Sequence, residues 1–188
     1  IGMVLALFAD RAIDSFLDIG TGTGRMLQLF AEQIRRGIGV DLSHDMLAVA
    51  RASLEDSGLH HCQVRHADMY RLPFADASLD AVTFHQVLHF ADQPAAALAE
   101  GARVLAPGGR LAVVDFAPHE LEALRHDHAH RRLGFSDTEV AEWFHACGLE
   151  LGPSVRLEGQ PLTVVIWPGH APGLGPAVAP PAWTEARP

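Results

Sequence analysis

Phe16-Leu17-Asp18-Ile19-Gly20-Thr21-Gly22-Thr23-Gly24-Arg25 decides the fold. Ser15–Ile19 is apolar enough for a buried parallel strand and too short for a helix. Gly20, Gly22 and Gly24 let the chain turn sharply and let a ligand approach the main chain. Met26-Leu27-Gln28-Leu29-Phe30-Ala31 then reads as a helix, whose first N–H groups point back at the loop. Strand, glycine turn and helix together hold a nucleotide-like ligand at the carboxyl end of a strand.

Two common nucleotide loops do not fit. A dinucleotide loop needs G-x-G-x-x-G, and Arg25 stands where the third glycine would be. A phosphate P-loop needs a lysine, and the chain has none. Asp18, at the end of the strand, suits a ligand carrying an ammonium group better than one carrying a pyrophosphate.

Composition narrows the class. A chain of 188 residues is expected to form one domain with a real core. Apolar content of 48% and charged content of 20% are those of an ordinary globular protein. A net charge of −9 with dispersed arginines argues against nucleic acid as a direct partner. Cys62 and Cys147 are too far apart for a metal or disulfide framework, which suggests free thiols in the cytoplasm. Ile1–Ala9 is apolar, yet it has no basic flank and is too short to span a bilayer. The chain opens on isoleucine, as expected of a piece of a longer polypeptide.

Further strands and helices follow in alternation. Ile1–Ala12 is expected to be helical, then Arg25–Arg35, with a second strand at Ile38–Val40 ending in Asp41. Asp41 follows Gly20 at the interval of about 20 residues where an acidic group meets ribose hydroxyls in doubly wound folds. Ser43 caps a helix over His44–Asp56, with Met46, Leu47, Ala50 and Leu54 expected to face the core. Cys62–Arg65 reads as the third strand, followed by Ala67-Asp68-Met69. Ala81–Phe84 is the fourth, leading to His85-Gln86-Val87-Leu88-His89-Phe90. Asp92 is expected to cap the next helix, and Pro107-Gly108-Gly109 to turn the chain into a strand at Leu111–Asp115.

The ordered set LDIGTGTG, GVDLS…ML, DMYRLPF…SLD, HQVLHF and RVLAPGGRL resembles the small class I S-adenosylmethionine (AdoMet) methyltransferases. That group includes the ubiquinone/menaquinone C-methyltransferases. The match covers about Phe16 to Phe116. Val114–Glu150 resembles a narrower subgroup, in which this domain follows an ArsR-type winged-helix DNA-binding domain. The resemblance implies an α/β fold with a doubly wound, mostly parallel seven-stranded sheet containing one antiparallel strand. It implies AdoMet as cofactor, S-adenosylhomocysteine as product and a small-molecule acceptor. Asp18 would meet the methionine ammonium, directly or through water. Gly20, Thr21 and Gly22 would give backbone approach, Asp41 and Leu42 would meet the ribose and its surroundings, and Asp68 and Met69 the adenine. His85 would touch the methionine moiety, and His89 is the candidate general base. The sensing domain of an ArsR-type regulator is the alternative to an enzyme, and oligomeric state is not legible.

His119–Arg132 is expected to be a polar helix, with His119, Arg125, His128 and Arg131 as candidate substrate-lining residues. His126 and His130 would share one face, but no further ligands complete a metal site, and none is expected. Ser136-x-x-Glu139 is a capping box opening a helix over Asp137–Cys147. Leu149–Leu157 and Leu162–Trp167 read as strands, so residues 1–167 are expected to form the AdoMet-binding domain. Residues 168–188 are proline-rich and expected to be a flexible tail. The Asn/Asp-Pro-Pro-aromatic element of amino-group methyltransferases is absent from the sequence, as are the cysteine sets of arsenite methyltransferases.

Overall fold

The computed structural model describes residues 2–8 and 12–173. Five strands run parallel: β1 (Ile13–Ile19), β2 (Ile34–Asp41), β3 (Cys62–His66), β4 (Leu79–His85) and β5 (Leu105–Phe116). Two short strands, β6 (Glu150–Leu151) and β7 (Val155–Leu157), pair antiparallel with β8 (Val164–His170), which lies antiparallel to β5. The sheet order is β3-β2-β1-β4-β5-β8-β6, with β7 also on β8. Strand order reverses between β1 and β4, and that is where an open α/β sheet leaves a crevice at its carboxyl edge.

Helices cover both faces. α1 (Gly2–Ala6), α2 (Arg25–Phe30) and α3 (His44–Asp56) lie with one apolar cluster, in which Phe16 stacks on Phe30 at 4.5 Å. α4 (Pro94–Val104) and α6 (Asp137–Ala146) pack over the other face, around Phe84, Phe135, Phe144 and Trp167. At the amino edge of the sheet, Asp80 on β4 accepts hydrogen bonds from the Ser15 amide and hydroxyl on β1, at 2.9 and 2.7 Å. That pair fixes the register of the two strands flanking the crevice.

Several expectations need correction. The strand expected at Leu149–Leu157 breaks into β6 and β7 at Gly152-Pro153, so the sheet has eight strands rather than seven. α2 ends at Phe30 and β2 begins at Ile34, because buried Ile34 pairs with Ile13 rather than continuing the helix. α1 stops at Ala6, and residues 9–11 lie outside the described residues. Met46 is exposed, whereas Leu47, Ala50 and Leu54 are buried. Asp92 does not cap α4; its carboxylate pairs with Arg131. The polar helix expected over His119–Arg132 shrinks to one turn, α5 (Ala123–Asp127). That turn has no buried residue, and a helix without an apolar face has little to extend it. Its end is closed by the His128 and His130 amides donating to the Leu124 carbonyl, with Ala129 left-handed. Pro168–His170 belong to β8, so the flexible tail expected from Pro168 does not begin there. Residues 174–188, the remainder of that expected tail, lie outside the described residues.

Candidate functional site

The glycine loop stands over the carboxyl ends of β1 and β2. The amides of Gly20 and Thr21 donate to the Val40 carbonyl at 2.8 and 3.0 Å, which folds the loop back onto β2. Gly20 is left-handed (φ +71°), and a Cβ there would fall 2.2 Å from Val87, so this turn requires glycine. Gly39 serves a different purpose: a Cβ on it would meet the Thr21 side chain at 2.6 Å. Thr21 can therefore tuck beneath the loop, where its buried side chain faces Asp18 and helps hold that carboxyl's pKa down.

Asp41 ties this loop to the next strand. Its Oδ2 accepts from the Gly22 amide at 2.8 Å and its Oδ1 from the Ser43 amide at 2.9 Å. Each carboxylate oxygen still has acceptor capacity. Ser43 caps α3 by accepting from the Met46 amide, which leaves Asp41 to the loop. Beside it, Leu42 is 53% exposed. One strand further on, Asp68 is exposed, and its Oδ1 accepts from the Tyr70 amide at 2.9 Å. Met69 is half-buried against the core. The segment after Asp68 is held by Arg103, which donates to the carbonyls of Leu72 and Phe74 while pairing with Glu100 and Asp76.

The structure thus brings Gly20, Gly22, Asp41, Leu42, Asp68 and Met69 to one edge. Open space lies in front of Gly22, where a Cβ would meet nothing within 4 Å. Two carboxylates after successive strands, the exposed Leu42 and a glycine turn facing open space fit a nucleoside: acceptors for hydroxyls and an amine, and an apolar face for a base.

Asp18 is placed differently. It is 1% exposed, beneath the loop, and accepts a hydrogen bond from the Thr83 hydroxyl at 2.7 Å. Burial pushes its carboxyl up to about 6, against the lowering effect of the Thr83 hydrogen bond.

On the other side of the crevice, a 3₁₀ turn (Leu88–Phe90) carries His89, which is 3% exposed. Its Nδ1 lies 2.7 Å from Asp115 Oδ1, and its backbone amide donates to Asp115 Oδ2 at 3.2 Å. Asp115, fully buried near the end of β5, also accepts from the Phe116 amide. Sequence reading missed this aspartate, although its place near the end of a strand beside β4 was a usable signal. His85, at the end of β4, is half-buried, and burial pushes its imidazole down.

The four candidate substrate-lining residues divide. His119 turns toward this cluster, with its ring 6.0 Å from that of Phe116. Arg125 pairs with Glu122, Arg131 pairs with Asp92, and both are exposed, as is His128. The residue that does enter is His130, whose ring lies 4.1 Å from His89. The residues between Ala117 and Phe135 form a strap over His89, clasped where the Arg131 and Arg132 amides donate to the His89 carbonyl. Among the described residues no group of three or more histidines, cysteines and carboxylates could hold a metal ion. No helix there is long and apolar enough to cross a membrane.

The profile of a family described as a methyltransferase domain matches residues 17–113, more than half of the chain. The chain belongs to that methyltransferase-domain family. The matched stretch runs from β1 to β5 and so contains the glycine loop, Asp41, Asp68 and the His89 turn. A demethylmenaquinone methyltransferase of Thermus thermophilus is 41% identical over 115 residues, covering 60% of this chain and 51% of that protein. The uncharacterized methyltransferase YcgJ of Bacillus subtilis is 31% identical over 121 residues, covering 64% of this chain and 48% of its own length. The chain thus spans about half the length of these curated relatives. Among solved structures, the Bacillus YcgJ protein superposes with a TM-score of 0.78 at 21% identity, over 91% of this chain and 97% of that one. A geranyl diphosphate methyltransferase in complex with SAM gives 0.78 at 16% identity, over 90% of this chain and 83% of that one. At such identities these structures speak to the fold: a class I methyltransferase sheet.

Proposed function

We propose that this domain binds AdoMet in the crevice beside the glycine loop and transfers its methyl group to a small-molecule acceptor. The observation that carries the reading is Asp41. It ends β2, receives the Gly22 amide and keeps lone pairs free beside exposed Leu42. One carboxylate thereby couples the loop to a site for ribose hydroxyls.

Each remaining residue has a role that follows from its place. Asp68 accepts the exocyclic amine of the base, and Leu42 and Met69 pack on the purine. Gly20, Thr21 and Gly22 bring main chain against the ligand. Asp18 reaches the amino-acid end of the cofactor through a bridging water, because its own carboxyl is buried. His85 approaches that same end from β4. His89, across the crevice, is the group placed to take a proton from an acceptor. When bound, AdoMet supplies an electrophilic methyl on a sulfonium. The protein's part is to align the reactants, which can account for ~7–11 kcal/mol of the barrier, and to exclude water. The strap over His89 serves the second task.

The relatives named as demethylmenaquinone methyltransferases support a small-molecule acceptor. Titration calorimetry with AdoMet and with S-adenosylhomocysteine tests the binding half. Methyl label appearing in a small acceptor tests the transfer half. Tight product binding without transfer to any acceptor would favour the sensing alternative, a domain reporting occupancy to an ArsR-type partner. No heat with either nucleoside would overturn both.

A further inference from the structure

We propose that residues 118–134 are a proton-operated strap, which lies shut over His89 while His130 and His119 are neutral and lets go when they take up protons. The device goes beyond the methyl-transfer reading and does not rest on it: it controls access to the His89 side of the crevice, whatever the crevice binds.

The strap leaves the fold at a tight neck. The Phe135 amide donates to the Phe116 carbonyl and the His119 amide to the Leu133 carbonyl, at 2.9 and 3.0 Å. Gly134 is left-handed (φ +83°), and a Cβ on it would strike the Ala117 carbonyl oxygen at 2.1 Å. Past that neck, little apolar surface holds the segment down. Among the described residues 118–134, only His130 is buried. The Arg131 and Arg132 amides donate to the His89 carbonyl, and their side chains pair with Asp92 and Glu139. A segment tied by so few contacts opens locally at small cost, and this clasp follows His130 directly in the chain.

His130 is the plug. Its ring lies 4.1 Å from that of His89, stacks with Phe116 at 6.0 Å and meets Phe90 edge-on at 5.3 Å. Its buried Nδ1 has no hydrogen-bond partner among the described residues. A neutral imidazole tolerates that place by carrying its hydrogen on Nε2. A protonated one brings a charge and an N–H at Nδ1 without an acceptor, so charging it favours the watery, released position. His119 works to the same effect. Its Nδ1 accepts from the Leu121 amide at 3.2 Å, and its Nε2 is buried without a partner among the described residues. Protonation puts a hydrogen on Nδ1 and deprives that amide of its acceptor.

The groups around the two rings set the sign. His89 on the 3₁₀ turn and His128 on the strap face His130, Arg125 faces His119, and the two rings face each other. Each of these opposes a new positive charge. Asp115 on β5 favours one, but its oxygens are already engaged by His89 and by the Phe116 amide. Burial is the largest effect, and both imidazoles lie below their ordinary 6.5 while the strap is shut. A released strap returns them to that ordinary value. The shut state is therefore unpenalised above about 6.5 and is weakened as pH falls from there through the lowered values. In that window each proton taken up on release raises the opening constant by up to about tenfold per pH unit.

Amide exchange followed by NMR on the whole chain tests the strap. Protection factors, which remove the intrinsic effect of pH on exchange, are compared for the Arg131 and Arg132 amides at about pH 7.5 and about pH 5.5. On acidification the wild type should lose about tenfold in protection there, while the amides of β1 and β4 keep theirs. In the double variant His119→Gln, His130→Phe, glutamine keeps an acceptor for the Leu121 amide and phenylalanine keeps a ring against Phe116. Neither titrates, so the loss should vanish. The His130 ring signal of the wild type should titrate with a midpoint below about 6.5, a readout that needs no variant to fold. Equal protection at the two pH values, an equal loss in wild type and double variant, a loss shared by β1 and β4, or a His130 midpoint at or above about 6.5 would each overturn the proposal.

Discussion

Replacing Asp18 by asparagine should stabilise the fold at alkaline pH. The carboxyl is 1% exposed and its pKa rises from 3.8 to about 6, with burial the largest cause. A shift of roughly two units corresponds to about 3 kcal/mol between the charged and neutral forms. The folded pKa is raised, so the folded state prefers the proton. The contribution is fully present below the ordinary carboxyl value of 3.8 and is lost as pH rises through about 6. Above that, the wild type carries an ionised carboxylate in a dry place. Asparagine keeps an oxygen for the Thr83 hydroxyl and never ionises. Urea denaturation should therefore show Asp18→Asn more stable by up to about 3 kcal/mol at about pH 8, with the gap closing toward about pH 4. A variant less stable than the wild type at alkaline pH, or a gap independent of pH, would refute the reasoning. Either result would mean that the ionised carboxylate has partners beneath the loop beyond the side chains of Thr83 and Thr21.

Three other perturbations follow from the packing. Ser15→Ala removes both hydroxyl bonds to Asp80 at the amino edge of the sheet and should cost about 1–3 kcal/mol in urea unfolding, with cofactor affinity unchanged. Phe135→Ala empties a fully buried site edge-on to Trp143 and should cost about 3–5 kcal/mol, read as a lowered urea midpoint. Arg131→Ala breaks an exposed pair with Asp92, so global stability should hardly change, whereas amide exchange in residues 118–134 should accelerate. Unchanged exchange would show that the backbone clasp on the His89 carbonyl holds the strap alone.

The loop and the parallel half of the sheet were legible because local chemistry dictates them. Glycines at turns, short apolar runs and caps such as Ser43 and Ser136 act within a few residues, and the structure shows both serines accepting the expected amides. Asp41 was placed by spacing alone. What failed depended on tertiary contacts. Whether Ile34 continued a helix or opened a strand turned on its partner Ile13, distant in sequence. The strap had the composition of a helix but no apolar face to hold one, so periodicity misled over His119–Arg132. The pairing of His89 with Asp115 spans 26 residues: the place of Asp115 near a strand end was a signal, but its partner in the 3₁₀ turn was not legible. Asp18 was expected to meet the ammonium directly or through water; its burial beside Thr83 on β4 was not legible from the motif.

The central claim is that a carboxylate finishing β2 holds the ribose of a sulfonium nucleoside. Calorimetric titration of AdoMet into the wild type and Asp41→Ala tests it most directly, with thermal melts to establish that the variant remains folded. The account predicts an affinity lower by more than tenfold, about 1.4 kcal/mol or more. Equal affinity in a folded variant would contradict it.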